Sequence, residues 1–233
     1  MSSSPPVDRE SLLAFIGADE ALTALSREAG PRLGDDPGHD LAHALRVALW
    51  TVRLGGARVD PREAVAAALL HDIVNLPKDS PERARASELS ADEARRLLPP
   101  LGFDAEATER VARAVLDHSF SRGATPDHPL GRALQDADRL EAVGAIGIMR
   151  TISTGTRMGA RYFHDDDPFA VRRSLDDRAF SIDHFRAKLL GLAETMLTDE
   201  GRAEARRRSR LMLDFLDGLA GELGVPLPAS WRD

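Results

Sequence analysis

Ala66-Ala-Ala-Leu-Leu-His71-Asp72-Ile73-Val74 reads as the end of a buried helix that stops on two adjacent metal-ligand side chains. The apolar run lets the core fix the backbone while two polar heads face a cavity. Together they offer an imidazole nitrogen and a carboxylate oxygen, a mixed donor type that suits first-row transition metals. Two donors do not complete a metal site, so the remaining ligands must come from other parts of the chain.

Working outward from this stretch, Asp60-Pro61-Arg62-Glu63 opens its helix. Asp60 can cap, Pro61 suits the first helical position, and Glu63 completes a capping-box-like pattern. Upstream, Leu41, Leu45, Ala48, Leu49 and Val52 form an apolar stripe at helical spacing, with His39, His43, Arg46 and Val47 along another face. Residues 10–30 read as a first helical segment, and Gly34-Asp-Asp-Pro-Gly38 as a loop. Downstream, Asn75 to Pro81 is a loop carrying Lys78 and Asp79. Helix starts follow at Ser80-Pro81 and at Ser90-Ala-Asp-Glu93, the latter helix stopping at Pro99-Pro100. Asp104 caps a segment on which Val111, Val115 and His118 share a face.

A further helix is expected to run from Leu134 through Asp138 to Met149, crowded because Ala142, Gly144, Ala145 and Gly147 are small. Residues 151–180 look irregular. Ile182, Phe185, Leu189, Leu192 and Met196 then return to amphipathic spacing. Thr198 opens a last helix with an apolar set of Leu211, Phe215 and Leu219. No strand or internal repeat is evident. The expected fold is all-α: a flexible start over residues 1–9, one domain of about eight helices over 10–220, and a tail over 221–233.

Composition agrees with a helical globular protein. Of 233 residues, 42% are hydrophobic and 30% charged, with Ala, Leu, Arg and Glu prominent. The formal net charge of −7 argues against general binding to a nucleic-acid duplex. The absence of cysteine excludes disulfides, thiolate metal sites and cysteine nucleophiles. No run approaches the ~20 apolar residues of a spanning helix, and the first ten residues lack a basic-apolar signal, so no membrane partner and a cytoplasmic location are expected.

Four residues fit one metal site: His43, His71, Asp72 and Asp138. All lie in apolar helical contexts, where an unpaired ionisable head is costly to bury. Two neutral imidazoles and two carboxylates leave a divalent first shell roughly uncharged, with open positions for a water and a phosphate oxygen.

The pattern His43…His71-Asp72…Asp138 resembles the HD-domain phosphohydrolase superfamily. The blocks His39 to Val47, Ala68 to Arg83, His118 to Ser121, Asp136 to Ile148 and Ile182 to Leu190 resemble its YedJ-like and YpgQ-like bacterial subgroup, over about residues 30–220. The resemblance implies an all-helical fold and one divalent transition metal: manganese first, with nickel, cobalt, iron or magnesium as alternatives. It also implies pyrophosphohydrolysis of a nucleoside or deoxynucleoside triphosphate by a metal-bound hydroxide. Some nucleotide-cleaving members carry a Glu three residues after the His-Asp pair, where it helps activate water. Asn75 stands there in this chain, and an amide is no base at neutral pH.

Around the ligands, His118 is the expected contact to the scissile phosphate, as a cation or general acid. A second-metal role, or pairing with a helix dipole, is its alternative. Asp79 could orient a water or bind a second ion, or cap a turn. Lys78, Arg46 and His39 are expected phosphate contacts, against solvated-surface alternatives. Arg139 points about 100° away from Asp138 around the helix, which favours a structural role. His164-Asp-Asp-Asp167 could hold a second metal but fits a solvated turn better. Two other functions stay open. One is a nucleotide sensor that does not turn over, kept alive by Asn75. The other is a two-metal phosphodiesterase for a cyclic or dinucleotide messenger. The oligomeric state is not set by the sequence.

Overall fold

The computed structural model describes residues 4–34, 38, 40–74, 82, 85–119 and 123–232. It contains ten α-helices and no strand among the described residues, with one isolated bridge between Arg161 and Phe180. Chain contacts divide it into two compact units, Met1–Asp138 and Arg139–Asp233.

The first unit is built on the helix quoted above. This helix, α4 (Pro61–Leu70), has every residue from Glu63 to Leu70 buried. A helix that is apolar all round has no solvent face and must be surrounded. It packs against α2 (Glu20–Leu33), α3 (Leu41–Gly55), α5 (Ala86–Leu97) and α6 (Ala105–Asp117). Its run of alanines lets these neighbours approach closely. Asp60 caps it as expected, accepting from the N–H groups of Arg62 at 2.7 Å and Glu63 at 3.2 Å. Glu63 does not close a capping box; its carboxylate instead takes a two-pronged bond from Arg110 of α6 at 2.6 and 2.9 Å.

Local chemistry corrects several expected boundaries. The segment 10–30 is two helices, α1 (Arg9–Ala18) and α2, because Asp19 is extended and caps α2 through the N–H groups of Ala21 and Leu22. Ser90 does not start a helix. It lies inside α5, and its hydroxyl accepts from the Val74 N–H at 3.1 Å. The helix start expected at Ser80-Pro81 lies outside the described residues. On α3 Ala48 and Val52 are buried as expected, while His43, Ala44, Val47 and Thr51 are buried in place of Leu41, Leu45 and Leu49, which are half-buried. The helix of Asp138, α7 (Pro129–Leu140), stops at Leu140 and does not run to Met149. The next helix, α8 (Gly144–Arg157), begins on a glycine with φ +77°, where an added Cβ would also lie 3.0 Å from the Arg208 side chain.

Within the second unit, α8 extends into the stretch expected to be irregular, leaving residues 158–180 outside α-helix. Ile182, Phe185, Leu189 and Met196 are buried as expected. They are carried by a short helix α9 (Ser181–His184), a π-turn over Phe185–Leu189 and a 3₁₀ turn over Leu192–Thr195. Thr198 caps α10 (Asp199–Glu222) by accepting from the Gly201 N–H at 3.0 Å. The buried face of α10 is Ala205, Met212, Leu216 and Ala220, one residue out of register with the expected Leu211, Phe215 and Leu219. The segment read as a tail carries structure: Trp231 is buried, and its indole N–H donates to the Phe169 carbonyl at 3.1 Å. No described helix is long and apolar enough to cross a membrane.

Candidate metal centre

Five side chains of the first unit converge at the end of α4. His71 is the C-cap of α4 and Asp72 follows it into a turn closed by the Ile73 N–H on the Leu70 carbonyl. The Ser90 hydroxyl holds the next N–H, so α5 fastens the turn that presents the pair. His43 sits in the first turn of α3, which Asp40 caps by accepting from the His43 N–H at 2.7 Å. His118 is the C-cap of α6, and Asp138 comes from the last turn of α7. Each ring or carboxylate is therefore aimed by a helix terminus whose own polar groups are engaged.

The donor atoms face one another. His43 Nε2 and His71 Nε2 are 3.2 Å apart. Asp138 Oδ1 lies 3.5 Å from His43 Nε2 and 3.9 Å from His71 Nε2. Asp72 Oδ2 lies 3.4 Å from His71 Nε2, and its Oδ1 lies 3.6 Å from His118 Nε2. The imidazole nitrogens of His71 and His118 are sorted by their other bonds. His71 Nδ1 donates to the Ala68 carbonyl at 2.7 Å, and His118 Nδ1 to the Val115 carbonyl at 2.6 Å. A carbonyl only accepts, so a proton sits on each Nδ1; His71 Nε2 is left to present its lone pair to the cluster, and His118 Nε2 faces Asp72 Oδ1. This is the outer support that metal-bound histidines characteristically have.

Burial and exposure divide the cluster. His43 and His71 are fully buried, while the side chains of Asp72 and Asp138 retain 26% and 33% exposure. The imidazoles thus form the floor, and the carboxylates the edge that a solute can reach. Burial holds the His71 pKa below its ordinary 6.5, against the opposing pull of the Asp72 and Asp138 charges. His71 is therefore neutral near pH 7, the form that coordinates a metal. His118 moves the other way. Burial acts to lower its pKa, but Asp72, then Asp138 and the Val115 carbonyl, more than offset it and raise it above 6.5.

Two groups of three among the described residues have donor atoms within 4.8 Å of one another: His43, His71 and Asp138, and His71, Asp72 and His118. The donors fit a divalent cation by type, direction and charge. The structure thus brings together all four expected ligands and also His118. Arg46 lies half-buried on α3, one turn beyond His43. Arg139 donates to the Thr195 carbonyl at 2.7 Å, a structural use of its guanidinium. His39, Asn75, Lys78 and Asp79 lie outside the described residues. The His164 loop gathers no metal group among the described residues. His164 Nδ1 accepts from the N–H groups of Asp166 and Asp167, and Asp165 pairs with Arg161.

Two contributors escaped the sequence reading. Ser90-Ala-Asp-Glu93 satisfies the pattern of a helix cap, which hides the part Ser90 plays at the turn after His71. Gln135 donates to the Asp117 carbonyl at 3.0 Å and to the Ala124 carbonyl at 3.3 Å, tying α7 to the chain on either side of His118. Its position one helical turn before Asp138 was the available signal.

An all-helical bundle in which His43, His71 and Asp138 converge, with Asp72 and His118 meeting the same His71, defines a candidate centre for a divalent cation. The chain belongs to the HD domain family, whose model matches residues 40–143, from just before His43 to just past Asp138. HD domains bind divalent metals. The chain is 32% identical over 194 residues to YpgQ, an uncharacterized protein of Bacillus subtilis (strain 168), covering 81% of this chain and 86% of that one. The crystal structure of Bacillus subtilis YpgQ in complex with ADP superposes with a TM-score of 0.67 at 28% identity, over 91% of this chain and all of that one. A predicted HD superfamily hydrolase from an uncultured Thermotogales bacterium matches with a TM-score of 0.61 at 26% identity, over 91% and 98% of the two chains.

Proposed function

We propose that this protein is a metal-dependent phosphohydrolase acting on a nucleotide, and that it cleaves nucleoside or deoxynucleoside triphosphates to monophosphate and pyrophosphate. The observation that carries the proposal is the convergence of the His43 and His71 Nε2 atoms with the Asp72 and Asp138 carboxylates at a half-open edge. The ADP bound by YpgQ supports a nucleotide as the substrate class. His43, His71, Asp72 and Asp138 would hold one divalent transition ion, manganese by preference. Such an ion supplies Lewis acidity toward a phosphoryl oxygen and makes a neighbouring water more acidic.

The chain's own residues do the rest. The backbone bond of His71 keeps its Nε2 free of a proton. His118, its charged form favoured by Asp72, holds a proton at Nε2 on the opposite side of that carboxylate. In that role it neutralises charge on the phosphoryl oxygens, or gives the proton to the departing pyrophosphate as the α-phosphorus–oxygen bond breaks. Arg46, with Lys78 and His39, supplies phosphate contacts in this reading, and Asp79 orients the attacking water.

One observation favours a second reading, a two-ion phosphodiesterase. Asp72 turns Oδ2 toward His71 and Oδ1 toward His118, so Asp72 and His118 would be at hand as donors to a second ion.

The test is a panel of nucleoside and deoxynucleoside triphosphates with manganese, magnesium, nickel or cobalt, the products resolved by ion exchange. Monophosphate plus pyrophosphate is the expected result. Stepwise loss of single phosphates, or no product with any metal, would overturn it. One ion per chain by metal analysis supports the first reading, and two the second.

A further inference from the structure

Gln135 stands on α7 one turn before Asp138, on the same side of the helix. It is buried, and its amide nitrogen donates to the Asp117 carbonyl at 3.0 Å and to the Ala124 carbonyl at 3.3 Å. Both acceptors are carbonyls, so the nitrogen of the amide faces them and both of its hydrogens are committed. Asp117 is the last residue of α6, and its carbonyl is one of the four that an α-helix leaves without a partner at its end. The same rigid peptide plane carries the His118 N–H, so holding that oxygen fixes the direction in which the chain enters His118. Arg113 occupies the Asp117 carboxylate at 2.6 Å, which leaves the main-chain oxygen of Asp117 to Gln135.

On the Ala124 side the tie is part of a seat. One turn earlier on α7, Arg132 Nε donates to the Pro126 carbonyl at 3.0 Å. Gly131 makes room for that proline, since a Cβ at residue 131 would lie 2.8 Å from the Pro126 Cβ. The helix itself is anchored by Leu130, Ala133, Leu134, Ala137 and Leu140, all fully buried, so Asp138 keeps its place without the amide. His118 has no equivalent in its ring bond. That bond runs to Val115 of its own helix, so it sets the tilt of the ring and not the place of the end of α6 against α7.

We propose that Gln135 is a positioning residue, which fixes the end of α6, and with it His118, relative to Asp138 and the other cation donors. The proposal rests on the reading of His118 as the group that meets the phosphates. Loss of the amide should let His118 move while the donors stay, lowering kcat more than it raises KM and leaving cation affinity unchanged.

The experiment compares Gln135→Met, which keeps the length of the side chain and removes both donors, with Arg132→Met, which removes a bond from the same seat without touching Asp117. Three quantities are read on each variant and on the wild type. They are manganese affinity by titration, kcat and KM on a nucleoside triphosphate, and the solvent-exchange rate of the His118 Nδ1 proton by NMR in EDTA. Gln135→Met should bind manganese as the wild type does and lose at least about tenfold in kcat, the cost of a misplaced group. Its His118 proton should exchange at least about tenfold faster, as the end of α6 opens locally. Arg132→Met should keep all three near the wild-type values. Equal losses in the two variants overturn the proposal, because the seat would then act on stability alone. So does a fall in manganese affinity as large as the fall in kcat, or an unchanged His118 proton in folded Gln135→Met. If circular dichroism shows Gln135→Met unfolded, Gln135→Asn, which keeps an amide but draws it one carbon back, carries the same expectations. A wild type without turnover removes the hydrolase reading, and proton exchange still decides the part played by Gln135.

Discussion

Two stretches of this chain are rich in histidine and aspartate, and their structures diverge completely. At the end of α4, His71 and Asp72 meet His43, His118 and Asp138 with their Nε2 and carboxylate atoms turned toward one another. In the loop His164-Asp165-Asp166-Asp167 the same residue types turn on their own backbone. His164 Nδ1 accepts two N–H groups, and the Asp167 carboxylate accepts from Val171, Arg172 and Arg173. The difference lies in where the lone pairs are spent. A loop uses acceptors to satisfy the donors that irregular backbone leaves over. Helix ends buried in a core satisfy their backbone differently: at His71 and His118 the ring pays its Nδ1 hydrogen to a carbonyl three residues back and keeps Nε2 for something else.

The largest effect that could break this contrast is at the cluster edge. Asp72→Asn should reduce hydrolysis at least about 100-fold and release the metal, since one ligand charge and the His118 partner vanish together. Full-rate turnover with metal retained would remove the basis for treating the cluster as a centre.

Ser90→Ala is a smaller intervention on the same region. It deletes the acceptor that holds the Val74 N–H while touching no donor atom of the cluster. Metal affinity should fall about tenfold, as for loss of an outer support, with about 1 kcal/mol lost in stability. An unchanged metal titration would mean that the turn needs no help from α5.

On the other side of the comparison, Asp167→Asn should leave the metal content as it is and lower the melting temperature at pH 7. The Arg172 N–H, with those of Val171 and Arg173, holds the Asp167 carboxyl below its ordinary 3.8. A depressed carboxylate stabilises the fold above its unfolded pKa, and that stability is lost as the pH falls through the folded value. The melting difference between wild type and variant should therefore be full at pH 7 and shrink below pH 3.8. A difference that grows in acid would reverse the sign of this assignment.

The smallest effect expected is an ordinary surface pair, a yardstick for both regions. Arg96, then Arg32, hold the Glu93 carboxyl down to about 2 from an ordinary 4.5. Because Glu93 is only half-buried and its partner Arg96 is exposed, Glu93→Gln should cost no more than about 1 kcal/mol by denaturant unfolding at pH 7. That contribution should fade as the pH drops from 4.5 toward 2.

Much of the fold was legible in residue order. Helix starts at Asp60, Asp104 and Thr198 were readable because a cap is a contact between residues two or three apart. The buried run Ala64 to Leu70 was readable because a helix without a polar face has nowhere to go but the core. Its terminal His-Asp pair, with His43 and Asp138, pointed to a metal on donor chemistry alone. The sequence could not decide which of two equal patterns is used. Ser90-Ala-Asp-Glu93 satisfies the rule for a cap, yet Ser90 serves the turn beside His71, since packing of α5 on α4 and α6 set the helix start elsewhere. The face of α10 is displaced by one residue and that of α3 is matched only at Ala48 and Val52, because small apolar stripes are ambiguous until a neighbour chooses one. The Ser181 hydroxyl over Gly155 had no sequence signal at all, for 26 residues separate them and only the folded chain sets one against the other. The sequence by itself determined which donor types and helix caps this protein has to offer, because these are written in single residues and short spacings. The tertiary structure alone decided which lone pairs remain available, because that depends on what each side chain meets after distant segments have packed.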